Sequence, residues 1–282
     1  MLYISYGAKK SGSTFTYLMT RDLCRAAGYS DPLIPAAARG NERRSDVNTV
    51  RDWSPEIVAR LDGFVPRETI ATLRTHVPAT PAIAGLIARG RARHHVGIRD
   101  LRDIALSLTD VMARLSARGI DRGRSIRIGD ISSTFVELTR NATAMTSWAE
   151  IPGALIVPYE EIAFNTHSWL AAICAHMQIS VDPEGFEAIM AAARGSPNVK
   201  MNVAQPNRHR REMSAADQEA ILAAFPDFYA RFFPGASVEV EESDDVSKEG
   251  AAGAAPAAAA GRSEKRLAKR AQRRAEKRAL RG

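Results

Sequence analysis

The sequence predicts an α/β fold, a three-layer arrangement in which a parallel sheet is flanked by helices on both faces. Two observations carry that expectation. Segments rich in β-branched and aromatic residues alternate with segments of helical spacing, which is the pattern of strand-crossover-strand units. The first strand also runs through a short, glycine-bounded loop directly into a helix, and this arrangement aims backbone N–H groups at a bound anion. Ligands of such sheets bind at the carboxyl ends of the strands.

The elements follow in order. "LYISYG" at 2–7 is a strand, and "TFTYLMTRDLCRAAG" then places Phe15, Leu18, Met19, Leu23 and Ala26 at helical spacing before Gly28 stops it. Residues 29–66 are rich in Pro, Arg, Asn and Asp and lack strong periodicity, which suits a cover over a substrate cleft. Within them "SPEIVARLDG" reads as a short helix with Ser54 as cap and Pro55 in the first turn. Strands are expected at 69–77, 93–100 and 153–161, and helices at about 101–118, 130–149 and 166–178. A last helix, "SAADQEAILAAF", begins with Ser214 as cap and Asp217 three residues on, a near relative of the capping box.

Beyond Pro234 the composition changes to acidic "EVEESDD", then an Ala/Gly stretch, then a basic block. Such low-complexity sequence cannot build a core, so the domain is expected to span 1–238, with 239–282 as a tail that is disordered or a basic helix. The net charge of +7 belongs to that tail: residues 261–282 hold ten Lys or Arg against two Glu, which leaves the body near −1. The tail reads as a solvated extension, the alternative being electrostatic contact with anionic lipid or nucleic acid. Cys24 and Cys174 lie on apolar helical segments and give no disulfide framework. No run of about 18 apolar residues is present for a membrane span, and the opening "MLYISYG" has no leader pattern, so a cytoplasmic protein is expected.

The loop "YGAKKSGSTF" nearly spells the nucleotide-binding pattern G-x-x-x-x-G-K-[ST]. Gly7, Gly12 and Thr14 fit, but Ser13 stands at the lysine position, and Lys9 and Lys10 lie inside the loop instead. Other strand ends supply further polar groups: Thr75 and His76 after the second expected strand, Arg99 after the third, and Ser107 in the helix that follows. Hydroxyls, loop amides, a lysine and an arginine suit an anionic ligand with phosphates at two separated points.

At these residues the chain resembles the sulfotransferases that use 3'-phosphoadenosine 5'-phosphosulfate (PAPS). Their signature P-K-S-G-T-T-W is met by "KKSGSTF", with Phe15 in place of tryptophan, and their R-x-x-x-D-x-x-x-S by Arg99, Asp103 and Ser107. Their K-T-H-L-P is met by "RTHVP" with Arg74, Thr75 and His76, and their later Y-E-[ED] by "YEE" from Tyr159. The matches run in family order over roughly residues 1–180. The resemblance implies a P-loop NTPase-like sulfotransferase domain that moves a sulfuryl group from PAPS to an acceptor hydroxyl, on a carbohydrate or other small alcohol, with no metal. It implies Lys10 at the bridging oxygen of the donor and Ser11, Gly12, Ser13, Thr14 and Phe15 around the 5'-phosphate. Arg99 and Ser107 would then hold the 3'-phosphate, Tyr159 would join the cofactor site, and His76 would act as the general base. The family's closing R-K-G-x-x-G-D-W is missing; "QPNRHRREMS", with Arg208, Arg210 and Arg211, stands in the corresponding place.

Plainer readings stand beside these. His94 and His95, adjacent on a strand, point to opposite faces and lack a third ligand at metal spacing. Trp148 and Trp169 read as core, while Trp53 and Phe64 are open between core and acceptor pocket. The competing classes are a P-loop nucleotide kinase or NTPase, disfavoured by Ser13 at the lysine position, and a non-catalytic module acting through its basic tail.

Overall fold

The computed structural model describes residues 1–40, 47–66, 69–120, 126–196, 199 and 205–241. Met1–Glu242 form one compact unit; the Ala/Gly stretch and the basic block of the expected tail lie outside the described residues. Five strands, β1 (Leu2–Gly7), β2 (Thr49–Val50), β3 (Ala71–Thr75), β4 (Ala92–Ile98) and β5 (Leu155–Pro158), form one sheet in the order β2-β3-β1-β4-β5. Every pairing is parallel, with Ile4 opposite Leu73 on one side and His94 on the other. The expected parallel sheet with helices packed on it is what the chain forms.

Strand β1 lies at the centre, and its residues are buried throughout because both faces of the sheet are covered. Alternation along β1 sorts the two cores. Leu2, Ile4 and Tyr6 join one apolar cluster with residues of α2 (Pro55–Phe64), α3 (Pro81–Ala88), α4 (Leu101–Ser116), α5 (Phe135–Ala149), α10 (Ala215–Ala224) and α11 (Pro226–Phe232). Tyr3 joins the other, with α1 (Ser13–Ala26), α7 (Thr166–Met177) and α8 (Pro183–Gly195). Two short helices, α6 (Tyr159–Phe164) and α9 (His209–Glu212), complete the unit.

The histidine pair divides in the same way. His94 Nε2 donates to the Trp148 carbonyl at 3.0 Å, whereas His95 Nε2 meets Ser5 Oγ at 3.1 Å on the opposite face. Burial pulls their pKa values down to about 4 and about 3, so both are uncharged packing groups at neutral pH.

Trp53, left open by the sequence, belongs to the core: it is buried, donates from Nε1 to Thr75 Oγ1 at 3.2 Å and meets Trp148 edge-on. Trp148 also stacks on Tyr6 and donates to the Val77 carbonyl, and truncating a side chain buried this way to alanine typically costs about 3–5 kcal/mol. Phe64 is exposed. Both thiols are buried, which pushes Cys24 up to about 12 and Cys174 to about 11 and leaves them inert.

Several elements differ from expectation. Ser54 holds the cap position of α2 but makes no side-chain cap bond. The structure adds β2, which at two residues is too short to show alternation, and α3, whose sequence "PAIAGLIA" is apolar all round. It also adds α8, capped by Asp182 accepting from Gly185 N at 2.6 Å, and α11 after the helix that read as the last. Ser214 caps α10 as expected, accepting from Asp217 N at 3.1 Å.

Candidate functional site

The loop between β1 and α1 is tightly wound. Ser11 closes it by donating both its backbone N–H (3.2 Å) and its hydroxyl (2.7 Å) to the Ala8 carbonyl. Lys10 and Gly12 both take positive φ, 74° and 72°, and a backbone that turns in this way gathers successive N–H groups into a concavity suited to an anion. Gly7 is fixed by space, because a Cβ there would lie 2.7 Å from Ser13 Cβ. Helix α1 starts at Ser13 with no side-chain cap, and among the described residues its first backbone bond is Thr16 N to Gly12 O at 3.1 Å. The N–H groups just before Thr16 are therefore orphan donors at the positive end of a 14-residue helix.

Three other strand ends converge on this loop. From β3, Arg74 donates through Nη1 to Thr14 Oγ1 at 2.7 Å and through Nη2 to Thr49 Oγ1 at 3.2 Å, with Nε buried and unpartnered among the described residues. From the same strand end, His76 Nδ1 donates to the Gly7 carbonyl at 2.6 Å. A carbonyl only accepts, so the proton sits on Nδ1 and Nε2 is left with its lone pair. Burial pulls the His76 pKa down to about 4, with Arg74 and Lys9 adding repulsion, and the hydrogen bond to Gly7 opposes this only in part.

From β4, Arg99 donates through Nη1 to the Lys10 carbonyl at 2.5 Å, and its guanidinium carbon lies 4.1 Å from the ring centre of Tyr159, which follows β5. The Tyr159 ring in turn approaches Gly12, with Cε2 at 3.5 Å from where a Cβ would stand. The loop, Arg74, His76, Arg99 and Tyr159 thus meet at the carboxyl end of the central strand, where the strand order passes from one side of β1 to the other.

The remaining sequence candidates are placed as follows. Ser13 is buried, Phe15 packs against the α1 core, and Ser107 is buried on α4. Lys9 is half exposed and paired with Glu137 at 2.8 Å. Arg208 has carboxylate partners: Nε and Nη2 donate to Glu212 at 2.9 and 2.5 Å and Nη1 to Asp110 at 2.8 Å. Arg210 pairs with Glu239 at 2.6 Å. The acidic stretch expected to open the tail therefore begins inside the compact unit, with Glu241 N also donating to the Arg210 carbonyl at 2.9 Å.

Two residues were not singled out from the sequence. Thr49 shares Arg74 with Thr14, and His209 donates to Asp103. Thr49 lies in a strand too short to read, and a link between His209 and Asp103 leaves no local sequence signal. Among the described residues, no group of three His, Cys, Asp or Glu side chains is placed to hold a metal ion, and no helix is long and apolar enough to cross a membrane.

No protein-family model and no curated protein matches the sequence. Solved structures do match. A retinol dehydratase crystallised with androsterone and the inactive cofactor PAP superposes with a TM-score of 0.51 at 13% identity, over 82% of this chain and 80% of that one. A sulfotransferase from Alicyclobacillus acidocaldarius gives a TM-score of 0.46 at 17% identity, over 81% and 92% of the two chains. A mouse sulfotransferase complexed with PAP gives 0.46 at 13%, over 81% and 84%. With its parallel five-stranded sheet and flanking helices, the chain has the α/β sulfotransferase fold, the one it shares with the PAP-bound retinol dehydratase.

Proposed function

We propose that the chain is a PAPS-dependent sulfotransferase acting on a hydroxyl of a small alcohol or carbohydrate. The observation that carries this reading is the contact of Arg99 with the Lys10 carbonyl at 2.5 Å, which sets an arginine fork beside an anion-binding loop. A ligand with phosphates at two points fits such a pair of neighbouring subsites, and the buried Nε of Arg99, which has no partner among the described residues, is a donor in want of an acceptor. The PAP of the retinol dehydratase structure is a ligand of that chemistry.

In this reading the loop amides with Ser13 and Thr14 hold the 5'-phosphate. Thr14 Oγ1 already accepts from Arg74, so its own proton remains to donate. Ser11 contributes through the shape of the loop, since its hydroxyl is committed to Ala8. Phe15 anchors the start of α1 from its core side. Arg99, steadied on the Tyr159 face, holds the 3'-phosphate, with Ser107 on the next helix as its companion. Arg208 and Arg210 are left to their carboxylate partners. When bound, PAPS supplies a sulfuryl group already activated by its anhydride link to phosphate. His76, neutral and with Nε2 unprotonated, takes the proton of the acceptor hydroxyl. The Lys10 ammonium offsets negative charge on the departing oxygen.

The test is transfer of label. Purified protein incubated with sulfur-35-labelled PAPS, a panel of alcohols and sugars, and a chelator is expected to yield a labelled acceptor and PAP. Transfer of phosphate from labelled ATP in the presence of magnesium, with none from PAPS, would replace this reading with a kinase.

A further inference from the structure

Asp103 lies one helical turn beyond Arg99, fully buried near the start of α4. Its two oxygens have different partners. Oδ1 accepts from the backbone N–H of His209 at 3.0 Å and from His209 Nδ1 at 2.9 Å. Oδ2 has no hydrogen bond among the described residues and faces Arg99 Nη2 at 3.8 Å. Burial alone would raise the Asp103 pKa, but the His209 hydrogen bonds and the Arg99 charge outweigh it and hold the carboxyl below its ordinary value. The group is therefore an anion, Oδ1 is an acceptor only, and Nδ1 of His209 carries the proton.

His209 is itself fixed from behind. It is buried, and its carbonyl accepts from Gln218 Nε2 at 3.0 Å. Gln218 is fully buried, binds the Glu239 carbonyl at 2.8 Å and the Glu239 N–H at 3.1 Å, and accepts from Arg102 Nη1 at 3.2 Å. A segment 106 residues away in sequence thus grips one oxygen of a carboxylate beside the site.

We infer that His209 is a positioning residue that keeps Asp103 from capturing Arg99. At 3.8 Å the Asp103–Arg99 pair is loose, longer than the 2.7–2.9 Å of a charge-assisted hydrogen bond. A carboxylate that loses the Nδ1 bond is held only by the His209 backbone N–H, and it can turn toward the guanidinium and close a two-pronged pair. That would occupy the N–H groups the ligand needs. Held by His209, Asp103 leaves the fork of Arg99 open, as outer partners set the orientation of the groups that bind ligands elsewhere. This inference rests on the proposed reading of Arg99 as the 3'-phosphate ligand.

The experiment measures binding of adenosine 3',5'-bisphosphate and of adenosine 5'-monophosphate by calorimetry, with thermal melts as the check on folding. His209→Phe is expected to weaken the bisphosphate about tenfold, as for one lost charge-assisted bond, and to leave the monophosphate unchanged. His209→Asn, which keeps a donor near the Nδ1 position, is expected to bind both as the natural chain does. Adding Asp103→Asn to His209→Phe removes the competing charge and is expected to restore the bisphosphate, a rescue that a merely structural role would not produce. Where phenylalanine does not fold, His209→Gln carries the same expectation, because its amide sits one bond too far out.

Equal weakening of both ligands, or no rescue by Asp103→Asn, would overturn the positioning role while leaving the sulfotransferase reading intact. A natural chain that does not prefer the bisphosphate overturns both.

Discussion

Replacing His76 by alanine is expected to lower kcat by roughly 10²- to 10⁴-fold with little change in donor binding, the range a positioned general base contributes. The expectation rests on the tautomer: the Gly7 carbonyl accepts a hydrogen bond from Nδ1–H at 2.6 Å, which leaves Nε2 as the basic nitrogen. The accompanying pH dependence follows from burial, which disfavours the imidazolium and puts the folded pKa at about 4, below the ordinary 6.5. The neutral base is therefore present at every pH above about 4, and the acid limb of kcat/KM is expected there. An acid limb near 6.5 would mean that the imidazole is solvated when it acts, and not held in the buried state described here. Stability moves the same way. The unfolded chain takes up a proton on this residue once pH falls below 6.5, whereas the folded chain does not until about 4, so its contribution to stability is lost as pH falls through that window.

Replacing Lys10 by methionine is expected to lower kcat by about 10²- to 10³-fold, the usual cost of removing one charge-stabilising donor, while the melting temperature stays close to that of the natural chain. The backbone at Lys10 has φ 74°, and methionine bears the same left-handed strain as lysine, so the change isolates the ammonium. Lys10→Gly relieves that strain and is expected to be no less stable and equally slow. The neighbouring lysine is the control. Lys9 is half exposed and paired with Glu137, and Lys9→Met is expected to keep most of the turnover. A chain that loses turnover with Lys9 and keeps it without Lys10 would reverse the assignment of the two lysines. Steady-state kinetics with PAPS and a fixed acceptor, alongside thermal melts, reads all three variants.

These expectations draw on features that differ in how openly the sequence displays them. The loop from Gly7 to Thr14, the strands that end near Thr75 and Ile98, and the split of His94 and His95 between two faces are local patterns, and the structure has each of them. Local pattern fails where an element is very short, as in Thr49–Val50, or apolar on every side, as in Pro81–Ala88, because neither shows a period. It fails again where one residue type serves two ends. Trp53 resembles a pocket aromatic in sequence, and only the packing of Trp148 and Thr75 against it shows a core residue.

The basic run at 208–211 shows the same limit at the site. Its arginines suit a phosphate by composition, yet Asp110, Glu212 and Glu239 lie close enough to pair with them, and two of those three are distant in sequence. What that run delivers toward Arg99 is its histidine, through a carboxylate already noted in the R-x-x-x-D-x-x-x-S match. The acceptor is a further step removed, since in the proposed reading most of the residues that match the family serve the donor and His76 alone meets the acceptor hydroxyl.

The most direct test of the central claim is calorimetric titration of the purified chain with adenosine 3',5'-bisphosphate and, separately, with ATP and magnesium, repeated on Arg99→Ala. The account predicts tight binding of the bisphosphate, weakened roughly 10- to 100-fold in the variant, and no comparable binding of ATP. Preference for ATP, or a bisphosphate affinity indifferent to Arg99, would contradict it.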